Sequence, residues 1–167
     1  IVIPETVTKI GVGAFAYCNG LSGELIIPEN VTHIGSHAFF RAGIENISVS
    51  ENSKSYSSLD GILYSKDMKT LLRCPSGKTG SIVVSDNVEK IEMQAFNGCF
   101  KLTGTLVLPE KLVYIGRMAF EDCSIDKYYF CGKTLSGIYA NGENMPTFDS
   151  GDTIYYPKND DTWVVEN

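Results

Sequence analysis

The sequence predicts an α/β repeat solenoid, built as one parallel sheet of short strands with short helical turns opposite and one β-hairpin insert. Three observations predict it. The segment Ile1–Phe15 aligns with Leu25–Phe39 at an offset of 24 residues, and Ile82–Phe96 aligns with Leu106–Phe120 at the same offset, which is the signature of a repeat architecture. Each copy runs through the same order of a β-favouring triplet, a turn, a Val-x-x-Ile step and an Ala-Phe pair. The 167 residues are 43% hydrophobic and 20% charged, a folded-protein balance that leaves a disordered chain out.

Each element has a local reason. Ile1–Ile3, Leu25–Ile27, Ile82–Val84 and Leu106–Leu108 are runs of β-favouring residues stopped by Pro or a polar residue, hence short strands. Strands separated by a whole coil of chain must pair in parallel. The spacing Val7/Ile10, Val31/Ile34, Val88/Ile91 and Leu112/Ile115 brings the chain back along the opposite side. Ala-Phe-x-x-Cys, or Ala42 in place of Cys, has the i, i+4 spacing of one helical turn. Phe15, Phe39, Phe96 and Phe120 are expected to form a continuous buried stack.

Between the regular repeats, 1–46 and 82–127, lies a variant repeat over 47–81. It keeps a strand at Ile47–Val49 and then carries Gly61–Tyr64 and Leu71–Pro75 around the polar Ser65–Thr70, a β-hairpin pattern. The stretch 128–167 is degenerate, with strands expected at Tyr128–Phe130 and Ile154–Pro157, and reads as a C-terminal cap. The whole chain, 1–167, is read as a single solenoid domain with strands starting near 1, 25, 47, 82, 106, 128 and 154. With an N-terminal cap missing, Ile3, Val7, Ile10 and Phe15 are expected to be exposed.

The repeated Ile-Pro-x-x-Val-Thr-x-Ile-Gly-x-x-Ala-Phe-x-x-Cys resembles the repeat of the BspA-like bacterial leucine-rich-repeat family. The segments Ser57–Asp67 and Tyr155–Trp163 resemble others common in those proteins. The similarity covers nearly the whole chain; Ser85 for Pro, Glu92 for Gly and Ala42 for Cys are the local departures. The resemblance implies a right-handed leucine-rich-repeat coil in a secreted or surface-attached bacterial protein, extracellular or at the cell surface. Some members act as adhesins for host proteins or other bacteria. It implies no catalytic residues.

Chemistry is sparse. Cys18, Cys99 and Cys123 share one repeat position, where buried free thiols are expected and a Cys99–Cys123 disulfide is the alternative; Cys74 and Cys131 are less constrained. His33 and His37 are four apart, but their counterparts in other repeats are variable surface types and no third ligand stands at fixed spacing; no metal site and no cofactor follow. Glu5, Glu29, Asp86 and Glu110 recur at one turn position, which explains them without a glycosidase pair. No constellation supports an enzyme.

The net charge of −6 and pI near 4.9 disfavour nucleic acid and an anionic membrane surface, and no apolar run approaches the ~20 residues of a membrane span. Two functions remain: a binding or adhesion module, or a structural spacer holding another domain away from the cell surface. If residues 1 and 3 of each strand point inward, residue 2 points outward. That ladder is Val2, Ile26, Ser48, Val83, Val107, Tyr129 and Tyr155, flanked one step earlier by Lys127 among others. Tyr129 and Tyr155, with Val107, Lys127 and Val83, are the candidate contact residues for a protein or glycan on a host or bacterial surface, and the domain is expected to be a monomer.

Overall fold

A computed structural model describes residues 1–132, 148 and 151–155. Its regular elements are all strands: β1 (Lys9–Ile10), β2 (Glu24–Ile27), β3 (His33–Ile34), β4 (Asn46–Val49), β5 (Tyr56–Leu59), β6 (Ile62–Ser65), β7 (Thr70–Arg73), β8 (Lys90–Ile91), β9 (Thr105–Leu108), β10 (Tyr114–Ile115), β11 (Lys127–Phe130) and β12 (Thr153–Tyr155). Like strands of successive coils pair in parallel, which makes a β-solenoid. On one side β2 pairs with β4, and β11 with both β9 and β12. On the other side β1 pairs with β3, and β7, β8 and β10 form a parallel run.

The expected helical turns are absent among the described residues, so the α/β class is corrected to an all-strand coil. The reason lies in where alternate amides go. In the first coil Ala14, Ala16 and Cys18 donate back to the carbonyls of Gly11, Gly13 and Phe15, while Gly13, Phe15 and Tyr17 donate forward to Ser36, Ala38 and Phe40 of the next coil. The corner Glu92–Cys99 repeats the arrangement, with Gln94, Phe96 and Gly98 donating to Arg117, Ala119 and Glu121. An α-helix would need every amide to bond within its own turn. Left-handed residues at every fourth position (Gly13 and Tyr17, His37 and Arg41, Gln94 and Gly98, Met118 and Asp122) turn the chain instead. The spacing i, i+4 is common to both conformations.

Close stacking of these corners needs glycine at their first position. A Cβ on Gly35 would lie 2.4 Å from the Val12 backbone nitrogen, and one on Gly116 would lie 2.3 Å from that of Met93. Gly11, in the first coil, would meet nothing within 4 Å. Glu92 occupies the same repeat position, and the corner ahead of it is the one that the variant repeat lacks.

That variant repeat interrupts both sides. The single hairpin expected over 61–75 is a three-stranded antiparallel meander, β5-β6-β7, whose last strand joins the parallel run through β8. The Ile47 amide donates to the Gly61 carbonyl at the β5–β6 turn. Residues 82–84 form no strand: the Val83 amide is taken by the Asp60 carboxylate at 3.2 Å, and only Gly80 and Leu102 bridge to the following coil. The expected continuous sheet is therefore two ladders, 2–26–48 and 107–129–155.

The core divides at the same place. Leu25, Ile27, Phe39, Ile44 and Ile47 form one buried cluster with Leu63; Ile62 and Tyr64, from the opposite face of β6, belong to a second with Phe96, Leu106, Phe120 and Tyr128. The phenylalanine stack divides too. Phe15 lies on Phe39 at 5.8 Å between ring centroids, and Phe96 on Phe120 at 5.0 Å, while the insert separates Phe39 from Phe96. Phe120 continues onto Phe148, also at 5.0 Å. At the N-terminal end Ile3 and Ile10 are buried rather than exposed, packed with Leu25 and Ile27 of the next coil, and Val7 and Phe15 are half-buried.

Candidate functional site

Three strands bring the outward residues of the second ladder into one row. The register Val107↔Tyr129↔Tyr155 runs straight across β9, β11 and β12, and Thr105↔Lys127↔Thr153 runs beside it. Alternation then places Val107, Tyr129 and Tyr155 on the solvent face, 55%, 39% and 39% exposed. The Tyr129 and Tyr155 rings stack at 4.3 Å with an interplanar angle of 7°. Each ring covers one face of the other, so what remains open is a pair of outer faces and phenol edges. Such a pair offers apolar contact and hydroxyl hydrogen bonding together, at little loss of side-chain freedom.

The inner face of β11 explains why the row is held in place. Tyr128 is fully buried and meets Phe120 edge-on at 4.9 Å and Phe148 at 4.8 Å. Phe130 meets Phe148 at 6.0 Å. Phe148 was not among the expected core residues. Its only sequence signal is a lone aromatic at the end of the Gly/Asn-rich stretch, and its partners are distant in the chain.

The other candidate positions differ in kind. Lys127 is exposed in the row beside the tyrosines. Val83 is 68% exposed but outside the β9-β11-β12 ladder. In the first ladder Val2 bridges Ile26 in parallel, and Ser48 hydrogen-bonds the Glu24 carboxylate, so that end of the row is part polar. The stretch 156–167, and with it Tyr156 and Trp163, lies outside the described residues.

All five cysteines are free thiols. Cys74, Cys99 and Cys123 are buried, Cys18 in the first coil is half-buried, and Cys131 is exposed. Burial pushes the Cys74 thiol well up and that of Cys123 up to about 12, so neither is a thiolate at neutral pH. His33 and His37 are exposed. Among the described residues no group of three or more His, Cys, Asp or Glu is placed to hold a metal ion, and no helix is long and apolar enough to cross a membrane.

Residues 1–60 and 74–148 match, in six copies, the family described as the BspA type leucine-rich repeat region, a description that carries no enzymatic activity. Among solved structures, a leucine-rich cell surface protein from Faecalibacterium prausnitzii is 28% identical, with a TM-score of 0.58 over 75% of this chain and 42% of that one. A leucine-rich repeat protein from Eubacterium ventriosum is 21% identical, with a TM-score of 0.57 over 80% of this chain and 42% of that one. The pneumococcal vaccine antigen PcpA is 19% identical, with a TM-score of 0.50 over 96% of this chain and 52% of that one. The last two show the fold alone, and the chain spans about half or less of each structure. No curated protein sequence matches it.

Proposed function

The chain belongs to the BspA-type leucine-rich repeat family, and from that premise we propose that it is a non-catalytic binding and adhesion module of a secreted or cell-surface bacterial protein. It engages a protein or glycan through the exposed face of the β9-β11-β12 sheet. The observation that carries this reading is the Tyr129–Tyr155 stack, solvent-exposed and in register with Val107. Exposed rigid aromatics beside an apolar residue are the usual anchors of a contact surface. Lys127 adds a cation at its edge, suited to an acidic group on the partner, and Val83 is a further exposed apolar residue outside that sheet. The F. prausnitzii cell surface relative supports an extracellular or surface location.

The part-polar row around Ser48 and Glu24 favours a second reading, a structural spacer, for the first ladder. One experiment addresses both. The domain is screened against host matrix proteins, mucins and glycans, and any ligand found is titrated against Tyr129→Ser/Tyr155→Ser. Binding falls at least about tenfold, roughly 1.4 kcal/mol, with the thermal midpoint nearly unchanged. Undiminished binding by the folded double variant moves the site off this face and favours the spacer reading for it.

A further inference from the structure

The variant repeat leaves a gap in the stack of corners. Ser36–Phe40 faces Glu92–Gln94 across a cleft of about 310 Å³ floored by Leu63 and Leu72. In a regular pair this space is filled, and the first position of the following corner must then be glycine; here it is Glu92, which lines the cleft. The His37 and Phe39 amides correspond to those of Gly13 and Phe15, which donate to the next coil. They find no backbone acceptor among the described residues.

A second observation concerns Arg73 at the back of the cleft. Its residue is only 8% exposed. One terminal nitrogen donates to the Gln94 carbonyl, and the other to Ser76 Oγ and the Asn97 carbonyl at 2.9 and 3.0 Å. No carboxylate pairs with it among the described residues, and burial pushes its pKa down. Arg41, which shares the Phe40 ring with it at 5.6 Å, is by contrast paired with the Asp122 carboxylate. Arg73 Nε–H and Gln94 Oε1 are buried without a hydrogen-bond partner. A buried cation lacking its counter-ion is costly unless a ligand supplies one.

We propose that this cleft binds the C-terminal residue of a partner polypeptide ending in an apolar side chain. The terminal carboxylate accepts from the free His37 and Phe39 amides, with the buried Arg73 guanidinium behind the cleft wall as its counter-charge, an arrangement typical of carboxylate capture by backbone N–H groups. The residue's side chain rests on Leu63 and Leu72. An internal peptide segment has no carboxylate to offer, and a bare inorganic anion leaves the apolar floor uncovered. The site is separate from the tyrosine row.

The test is fluorescence anisotropy with N-terminally labelled pentapeptides ending in Leu, Phe or Asp, each as free acid and as C-terminal amide. The apolar acids bind, and amidation weakens them at least about tenfold. Arg73→Gln risks the fold, because Arg73 holds two backbone carbonyls. Met93→Trp is therefore the working variant: Met93 is 48% exposed at the cleft, and a larger side chain there closes it, with a similar loss of binding. Tyr129→Ser/Tyr155→Ser leaves peptide binding unchanged, which keeps this result distinct from that of the sheet face. Equal binding of acid and amide, or of the Asp-ended and Leu-ended peptides, overturns the proposal. So does unchanged binding by folded Met93→Trp, or no binding up to about millimolar peptide. N-acetyl-leucine competing as strongly as the peptide assigns the cleft to a free acylated amino acid instead.

Discussion

Phe96 offers the sharpest test of how this solenoid holds together. It is completely buried and stacked on Phe120 at 5.0 Å with 19° between the rings, so Phe96→Ala removes a core aromatic with no solvent to relax into. The expected loss is about 3–5 kcal/mol. Phe15 is half-buried and has a ring neighbour on one side only, so Phe15→Ala is expected to cost roughly half as much. The interruption at β6 makes a finer statement possible. In a double-mutant cycle of milder changes, Phe96→Leu and Phe120→Leu should couple by about 0.5–1.5 kcal/mol, as a contacting aromatic pair does. Phe39→Leu and Phe96→Leu, which lie in separate clusters, should add within about 0.5 kcal/mol. The assay is urea denaturation followed by both circular dichroism and tyrosine fluorescence, because repeat arrays can lose two-state behaviour. Coupling of Phe39 to Phe96 as large as that of Phe96 to Phe120 would refute the divided core, and equal losses at Phe15 and Phe96 would refute the burial argument.

Further outcomes are expected elsewhere. Gly116→Ala should destabilise by about 1–3 kcal/mol, the usual range for forcing an atom into packed structure, because its Cβ would sit 2.3 Å from the Met93 backbone nitrogen; Gly11→Ala, with open space around it, should be near neutral in thermal melts. A thiol reagent should label Cys131 quickly in the native protein, and Cys74, Cys99 and Cys123 only on unfolding; rapid native labelling of those three would overturn the core assignment. The Asp67 carboxyl is held below its ordinary value chiefly by the Ser65 hydroxyl, with the Lys69 amide assisting. A depressed folded value means that its support of the β6–β7 turn is present above the unfolded carboxylate pKa and is lost as pH falls through the lower folded one. An NMR titration should show the low midpoint, and Ser65→Ala should raise it.

Much of this protein is determined by sequence periodicity. The offset of 24 residues and the alternation within each triplet specify parallel pairing of like strands, the inward set of Leu25, Ile27, Leu106 and Leu108, and the outward set that ends in Tyr129 and Tyr155. These are local and repeated signals, and burial of one face of every copy requires them. What a corner does with its amides is a different matter. Ala-Phe-x-x-Cys fits a helical turn or a left-handed corner equally well, and only the carbonyls of the next coil, 24 residues on, decide for the corner. The same holds for Phe148, placed by rings far away in the chain, and for residues 82–84, whose strand is lost because Asp60 takes the Val83 amide. It holds above all for the cleft at Arg73. A gap between coils is made by the repeat that is not there, and the hydrogen bonds it leaves open belong to two corners separated by more than fifty residues. Within one repeat, side-chain polarity determines which face is buried; between repeats, only the assembled stack determines which backbone groups find partners.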